Sequence, residues 1–316
     1  MTLYDILSEY DARKNRAEAL AEQRKKEVYG RSALLGQLED ERKEILLKQL
    51  RDVMRRPAEK QAIVEQASAK VAALDAHIEA AMQQAGVTQS DLAVRYTCEL
   101  CKDTGYIPAQ NGKKQLCPCL KEQLYLRVYG AEDIAALEGS FEAFDSGVFT
   151  TQEARSQMEN IRAVVENYAD AYPNCPKTNL VFMGNCGIGK SFLLSAVAKR
   201  LKEKESDVVY IRAAQLFSLF HAHRLGQGPR LDTLLEAKVL LIDDLGTEPM
   251  TQNVTVEYFF DLLERRGAAG LPILIATNLS KNQVKERYTE RIYSRLFSKK
   301  TTGNFIFPEP TDLRMQ

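Results

Sequence analysis

The sequence predicts an α/β protein: a parallel five-stranded sheet with helices on both faces, preceded by an α-helical hairpin or coiled coil and a small four-cysteine segment. Three observations carry this. Gly184-Asn185-Cys186-Gly187-Ile188-Gly189-Lys190-Ser191 lies between the apolar run 180–183 and the helical run beginning at Phe192, which is the strand, loop, helix setting of a G-x-x-x-x-G-K-[ST] phosphate loop. Four further apolar runs follow as strands, at 208–211, 239–244, 271–276 and 304–307, with helical stretches between them. The first 84 residues are rich in Ala, Glu, Lys, Arg, Gln and Leu, with apolar residues at mixed three and four spacing, the pattern of amphipathic helices.

The phosphate loop predicts a nucleoside triphosphate site. Glycines at 184, 187 and 189 let the backbone curl so that successive N–H groups face phosphate oxygens, and the start of the next helix adds its positive end. Lys190 is expected to reach the β and γ phosphates and Ser191 to offer its hydroxyl to Mg²⁺. The strand 239–242 ends in Asp243-Asp244. This Walker B arrangement delivers Asp243 to the Mg²⁺ shell and Asp244 towards the attacking water. Thr277-Asn278 stands at the tip of the next strand, where an amide can hold water or the γ phosphate. Arg291 and Arg295 lie four apart on one helical face; such a pair is either solvated or reaches a neighbouring subunit's γ phosphate as an arginine finger.

Length allows two domains, or one large domain and an extension, for 316 residues. Lys+Arg and Asp+Glu both number 43, so net charge recruits neither nucleic acid nor a membrane, and DNA binding would need a local patch. No apolar run approaches the roughly 20 residues of a membrane span, and no signal-peptide pattern opens the chain; a soluble cytoplasmic protein is expected. Four of the six cysteines cluster as Cys98-x₂-Cys101 and Cys117-Pro118-Cys119. Two such knuckles can surround one tetrahedral Zn²⁺, and four thiolates leave no open position, so a structural zinc is expected. The boundaries that follow are 1–90 for a helical partner-docking region, 91–125 for the zinc-binding segment, 126–150 for a connector and 151–316 for the nucleotide domain. Helices are expected over 120–137, 152–172 and 213–225. Phe141 and Phe144 are expected either over a purine base or in the core. Cys186 is expected to be a small packing residue.

The ensemble of Cys98-x₂-Cys101 with Asp103-Thr104-Gly105, Cys117-x-Cys119, Phe141-x₂-Phe144-Asp145, the phosphate loop, 242–248 (IDDLGTE), 276–279 (ATNL) and Glu290-Arg291-Ile292-x₂-Arg295-Leu296 resembles the bacterial DnaC/DnaI-type replicative helicase loaders over roughly residues 95–316. That resemblance implies an AAA+ ATPase with ATP and Mg²⁺ as cofactors, which binds a hexameric replicative helicase, helps place it on single-stranded DNA and self-associates through an arginine finger. It implies Lys190, Ser191 and Asp243 as phosphate and Mg²⁺ residues, Asp244 on the water, Asn278 as first sensor, and Arg295 before Arg291 as finger. It also places a DNA-contacting helix at 213–225, where Phe217, Phe220, His221, His223 and Arg224 offer stacking and phosphate contacts; the alternative is that the amphipathic face of Leu216, Phe217 and Phe220 is simply packed. Two departures stand out. Asp244 occupies a place often held by Glu, and nine residues after the last strand are too few for the usual helical lid, leaving Arg314 as second sensor by position only. A transposition helper ATPase of the IstB type shares the core, though the long helical region and the four cysteines speak against it. A small-molecule kinase would need an arginine-rich lid that the sequence does not offer, and a non-hydrolysing adaptor would bind ATP without turnover.

Overall fold

The computed structural model describes residues 1–109, 112–252 and 254–308. By contact the chain divides into Leu7–Gly105 and a second unit of Met1–Ile6 with Tyr106–Gln316. Helix α1 (Leu3–Arg31) is followed by α2 (Ala33–Arg55), α3 (Lys60–Gln84) and the short α4 (Gln89–Leu92). Ser32 opens α2 by accepting the Leu35 N–H on its hydroxyl, satisfying one of the free donors at a helix start. Arg56-Pro57 ends it, because the residue before proline is pushed out of the α region. The chain then folds back as α3, and Leu35 from α2 packs with Leu74, Ile78, Ala81 and Met82. The expected helical hairpin is therefore present. Gly36 lies inside α2, where one glycine costs only about 1 kcal/mol. His77 is exposed on α3.

The second unit begins with an antiparallel pair, β1 (Tyr106–Pro108) and β2 (Lys114–Leu116), followed by α5 (Pro118–Arg127). The helix expected over 120–137 stops ten residues early. Gly130 takes a left-handed φ of 66°, and a 3₁₀ turn over Ile134–Ala136 follows it. Then come α6 (Gln152–Ala171), β3 (Asn179–Met183), α7 (Lys190–Lys204), β4 (Val208–Arg212), α8 (Ala213–Arg224), α9 (Asp232–Leu235) and β5 (Val239–Leu245). The unit continues through α10 (Thr255–Ala269), β6 (Ile273–Thr277), α11 (Lys281–Tyr288), α12 (Glu290–Leu296) and β7 (Thr302–Ile306). The last strand thus begins two residues before the expected one.

The five strands form one parallel sheet in the order β4-β5-β6-β3-β7. Side chains alternate between faces of a strand. One parity, Leu180, Phe182, Val208, Tyr210, Val239, Leu241, Leu274 and Ala276, joins a core with Met158, Ile161 and Val165 of α6 and Leu193, Leu194 and Val197 of α7. The other parity, including Val181, Val209, Ile211, Leu240 and Ile242, is also buried, and α8 contacts β4 and β5. Strands covered on both faces read as continuous apolar runs, which is why all five were visible in the sequence. The β3–β6 and β3–β7 pairings put β3 between two neighbours, so the phosphate loop that leaves it emerges at the C-terminal edge of the sheet one strand in from β7.

On α8 the expectation of base stacking is corrected. Phe217 and Phe220 are 4% and 0% exposed, and they pack edge-on at 5.5 Å with each other, while Phe217 meets Phe259 and Phe220 meets Tyr258. Aromatic rings in a buried cluster of this kind contribute to the core and are closed to a nucleic-acid base. His221, His223 and Arg224 remain exposed on the same helix. No helix among the described residues is long and apolar enough to cross a membrane.

Candidate functional site: a phosphate-loop cleft

A cleft of about 720 Å³ opens at the C-terminal edge of the sheet, lined by the phosphate loop, Asp243, Asp244, Asn278 and the segment that precedes α6. Gly184, Gly187 and Gly189 all take positive φ, 144°, 74° and 88°. A side chain at Gly189 would be strained there although space is open, so the residue serves backbone conformation as the cap of α7. Ile188 is fully buried and points inward, leaving the loop's amides for the cleft. Lys190 is 5% exposed, and its ammonium donates to the Asn185 carbonyl within the loop. Phe192 and Ser195 line the cleft one and two turns into α7. Cys186, expected to pack, is instead exposed and lines the cleft: the outward curl of the loop leaves that position no core to enter.

Asp243 sits at the end of β5, 6% exposed. Its Oδ1 accepts from Ser191 Oγ at 3.0 Å and from the Asp244 amide at 2.9 Å, and its Oδ2 accepts from Tyr210 Oη at 2.7 Å. Burial pushes its carboxyl above the usual range, opposed by the Tyr210 and Ser191 donors. Ser191 and Asp243 bring a hydroxyl and a carboxylate together, the hard-oxygen donors that suit Mg²⁺. Asp244 takes a φ of 54°, and its carbonyl accepts from Thr247 Oγ1 at 2.8 Å, turning the chain sharply after the strand. Asn278 follows Thr277, whose hydroxyl donates to the Leu245 carbonyl at 2.6 Å and ties the tips of β6 and β5. Lys190, Ser191, Asp243, Asp244 and Asn278 are therefore brought to one cleft.

The apolar side of the cleft was open in the sequence. Leu137, Phe144, Val148, Phe149 and Met158 line it, whereas Phe141 is buried in the core, 3% exposed, with the Arg200 guanidinium 5.6 Å from its ring. Of the two aromatic residues weighed, Phe144 faces the cleft. Gly139 fixes the approach of this segment: a Cβ there would fall 2.0 Å from the Phe192 carbonyl oxygen, so any larger residue would push the segment off the first turn of α7.

One residue escaped the sequence reading, and another was read without its partners. Tyr210 looked like an ordinary member of a buried strand, yet its hydroxyl meets Asp243. Glu248 is buried: Oε2 accepts from the Gly246 amide at 2.9 Å, and Oε1 accepts from Tyr288 and, at 3.3 Å, from Arg287 Nε. Its position near the acidic pair was visible, but its partners, some forty residues later, were not.

Arg291 and Arg295 lie outside the residues lining this cleft. Both are exposed on α12, with guanidinium carbons 4.0 and 5.1 Å from the Phe260 ring, and Arg295 Nε pairs with Glu264 at 2.6 Å. Arg314 lies outside the described residues. The thiols of Cys98, Cys101, Cys117 and Cys119 have sulfurs all within 4.8 Å of one another, a donor set that fits a tetrahedral metal ion. Asp103 accepts from the Thr97 and Cys98 amides at 2.9 and 3.0 Å, holding the first knuckle in its turn.

Residues 153–293 match the family model described as IstB-like ATP binding protein. The chain carries an IstB-like ATP-binding domain. This domain has a parallel five-stranded sheet with the phosphate-loop cleft at its C-terminal edge. The chain is 27% identical over 215 residues, 64% of its length and 80% of the relative's, to the phage-like element PBSX protein XkdC of Bacillus subtilis. It is 32% identical over 114 residues to the replicative helicase loader DnaI of Bacillus subtilis, covering 35% of this chain and 36% of DnaI. It is also 34% identical over 90 residues, 28% of this chain and 36% of the relative, to the insertion sequence ATP-binding protein y4uH of Sinorhizobium fredii. Among solved structures, DnaI aligns with a TM-score of 0.44 at 22% identity over 57% of this chain and 94% of that one. The DnaC helicase loader aligns at 0.44 and 17%, over 54% and 97%. The resemblance read from the motifs is met by DnaI, of whose length the chain covers 36%.

Proposed function

We propose that the chain is an ATP-dependent loader of a replicative DNA helicase, which binds the hexameric helicase and helps place it on single-stranded DNA. The observation that carries this reading is the combination, in one chain, of the IstB-like cleft with a helical hairpin and a four-cysteine cluster; the chain's 32% identity over 114 residues to a helicase loader supports it.

In this reading the loop amides and Lys190 hold the β and γ phosphates, and Phe144, Phe149 and Val148 enclose the base. Ser191 and Asp243 hold Mg²⁺, which when bound neutralises charge developing on the phosphate oxygens. Asp244 orients the attacking water and takes its proton, and Asn278 fixes the water or the γ phosphate from the neighbouring strand tip. Arg295 acts on the site of the next protomer, so turnover depends on assembly. The exposed His221, His223 and Arg224 of α8 are the phosphate-contacting groups for single-stranded DNA, without the aromatic stacking first expected.

The test is association with the cognate helicase, followed by light scattering with ATP, ADP or no nucleotide. A complex should form with ATP, and Lys190→Ala should lose nucleotide affinity by about 10- to 100-fold, as removal of a charged hydrogen bond does, and lose the complex with it. Absence of a complex in every nucleotide state would end the loader reading. A second reading, the transposition helper, is favoured by the insertion-sequence relatives; ATP-dependent filaments on duplex DNA together with a transposase would carry it instead.

The four thiols are proposed to hold one structural Zn²⁺, which supplies folding energy to a short segment with little core. Metal analysis should return about one zinc per chain, and chelation should lower the melting temperature. Well under one equivalent in protein purified without chelator would remove the zinc.

A further inference from the structure

We propose that Tyr210 is a positioning residue for the Mg²⁺ site, acting through Asp243. The proposal rests on the nucleotide-site reading above and is independent of the helicase partner.

The argument starts from the sheet. Strands β4 and β5 run parallel with Tyr210 beside Leu241 and Arg212 beside Asp243. Residues 210 and 243 therefore share the face covered by α7, and the tyrosine lies on the diagonal just behind the acid. A tyrosine ring spans that diagonal, which a Phe would fill but could not bond across. The Tyr210 hydroxyl donates to Asp243 Oδ2 at 2.7 Å, with the tyrosine 2% exposed.

The two carboxylate oxygens thus have separate tasks. Oδ2 is held by the phenol from behind, while Oδ1 stays turned towards Ser191 Oγ, 3.0 Å away. A carboxylate held at one oxygen cannot rotate about its Cβ–Cγ bond without breaking that bond, so the oxygen facing Ser191 is fixed before the ion arrives. Hydrogen-bonding partners of metal-binding carboxylates act in this way, orienting the donor and lowering the cost of binding.

Tyr210 is itself well anchored. β4 is the edge strand of the sheet, and its free side is closed by the Glu132 amide, which donates to the Tyr210 carbonyl at 2.8 Å. The Glu132 carboxylate pairs in turn with Arg212 at 2.8 Å. Both Glu132 and Arg212 line the cleft, so the backbone of Tyr210 is clamped between β5 and the segment before α6.

The experiment is a calorimetric titration of ATP into the full chain and into Tyr210→Phe, first with EDTA and then across a range of Mg²⁺ concentrations. The expected result is equal affinity in EDTA and a Mg²⁺ requirement raised about tenfold in the variant, in line with the loss of an outer partner at other metal sites. The same substitution in an Asp243→Asn background should change nothing further. An unchanged Mg²⁺ requirement overturns the proposal and leaves the nucleotide reading intact. Weaker binding in EDTA also overturns it, because it would mean that the phenol touches the nucleotide directly. A wild-type chain that binds no ATP removes the proposal together with the reading beneath it. Thermal melting of Tyr210→Phe within a few degrees of wild type excludes misfolding; should it melt far lower, the comparison is made with Tyr210→His, which restores a donor and should recover part of the Mg²⁺ response, and a failure to recover any would count against the assignment.

Discussion

Arg295→Ala is expected to bind ATP with unchanged affinity and to lose assembly-dependent hydrolysis by about three orders of magnitude, the lower end of what an arginine finger contributes. The reason is its placement. Arg295 is on α12, outside the residues that line its own chain's cleft, so it can add nothing to that site in an isolated protomer. Its guanidinium is exposed, paired with Glu264 and stacked near Phe260. An ion pair between exposed groups contributes little and is readily exchanged, so the contact keeps Arg295 extended without holding it back from a neighbour's phosphate. The measurement is ATP turnover against protein concentration, with helicase and single-stranded DNA present. Wild type should accelerate steeply as protomers meet, whereas the variant should stay at the basal rate. Full activity in the variant would transfer the role to Arg291, whose guanidinium lies over the same ring at 4.0 Å.

Asp244→Asn is expected to keep ATP binding and lose turnover by about 10²- to 10⁴-fold, the range for removal of a general base. The substitution is well suited to the question because of the backbone. Asp244 holds a φ of 54°, a conformation that Asn adopts as readily as Asp. The turn made by the Asp244 carbonyl and Thr247 therefore survives, and only the charge is lost. Single-turnover hydrolysis, beside calorimetric binding, separates the two effects. Normal hydrolysis by the variant would exclude Asp244 as the base, and Glu248 would be a poor replacement: its carboxylate is already committed to Gly246, Arg287 and Tyr288.

These residues also show what kinds of information a sequence carries. The phosphate loop was readable because its eight residues form one local turn of chain, and its three glycines all take positive φ there. Asp243 and Asp244 were readable because a buried parallel strand is a continuous apolar run and the acids mark its end. The four cysteines were readable because their chemistry is rare and their spacing short. Helix α10 was passed over although Phe259, Leu262 and Leu263 follow the helical period. The position that continues that stripe is Arg266, 1% exposed, whose guanidinium donates to the Leu235, Ala237 and Pro272 carbonyls. Burial holds that guanidinium down at about 10, below its usual value. A charged residue in the core looks like surface until its partners are known.

On its own, then, the sequence determined the residues of the phosphate loop and acidic pair and the succession of strands, since each depends on neighbours within a few positions. The tertiary structure alone decided that β3 lies between β6 and β7, that Phe217 and Phe220 are core and not a stacking platform, that Glu248 is tied to α11, and that Tyr210 stands behind Asp243. All four are pairings between positions far apart in the chain, and their energies come from desolvation and hydrogen bonds that exist only once the sheet has brought those positions together.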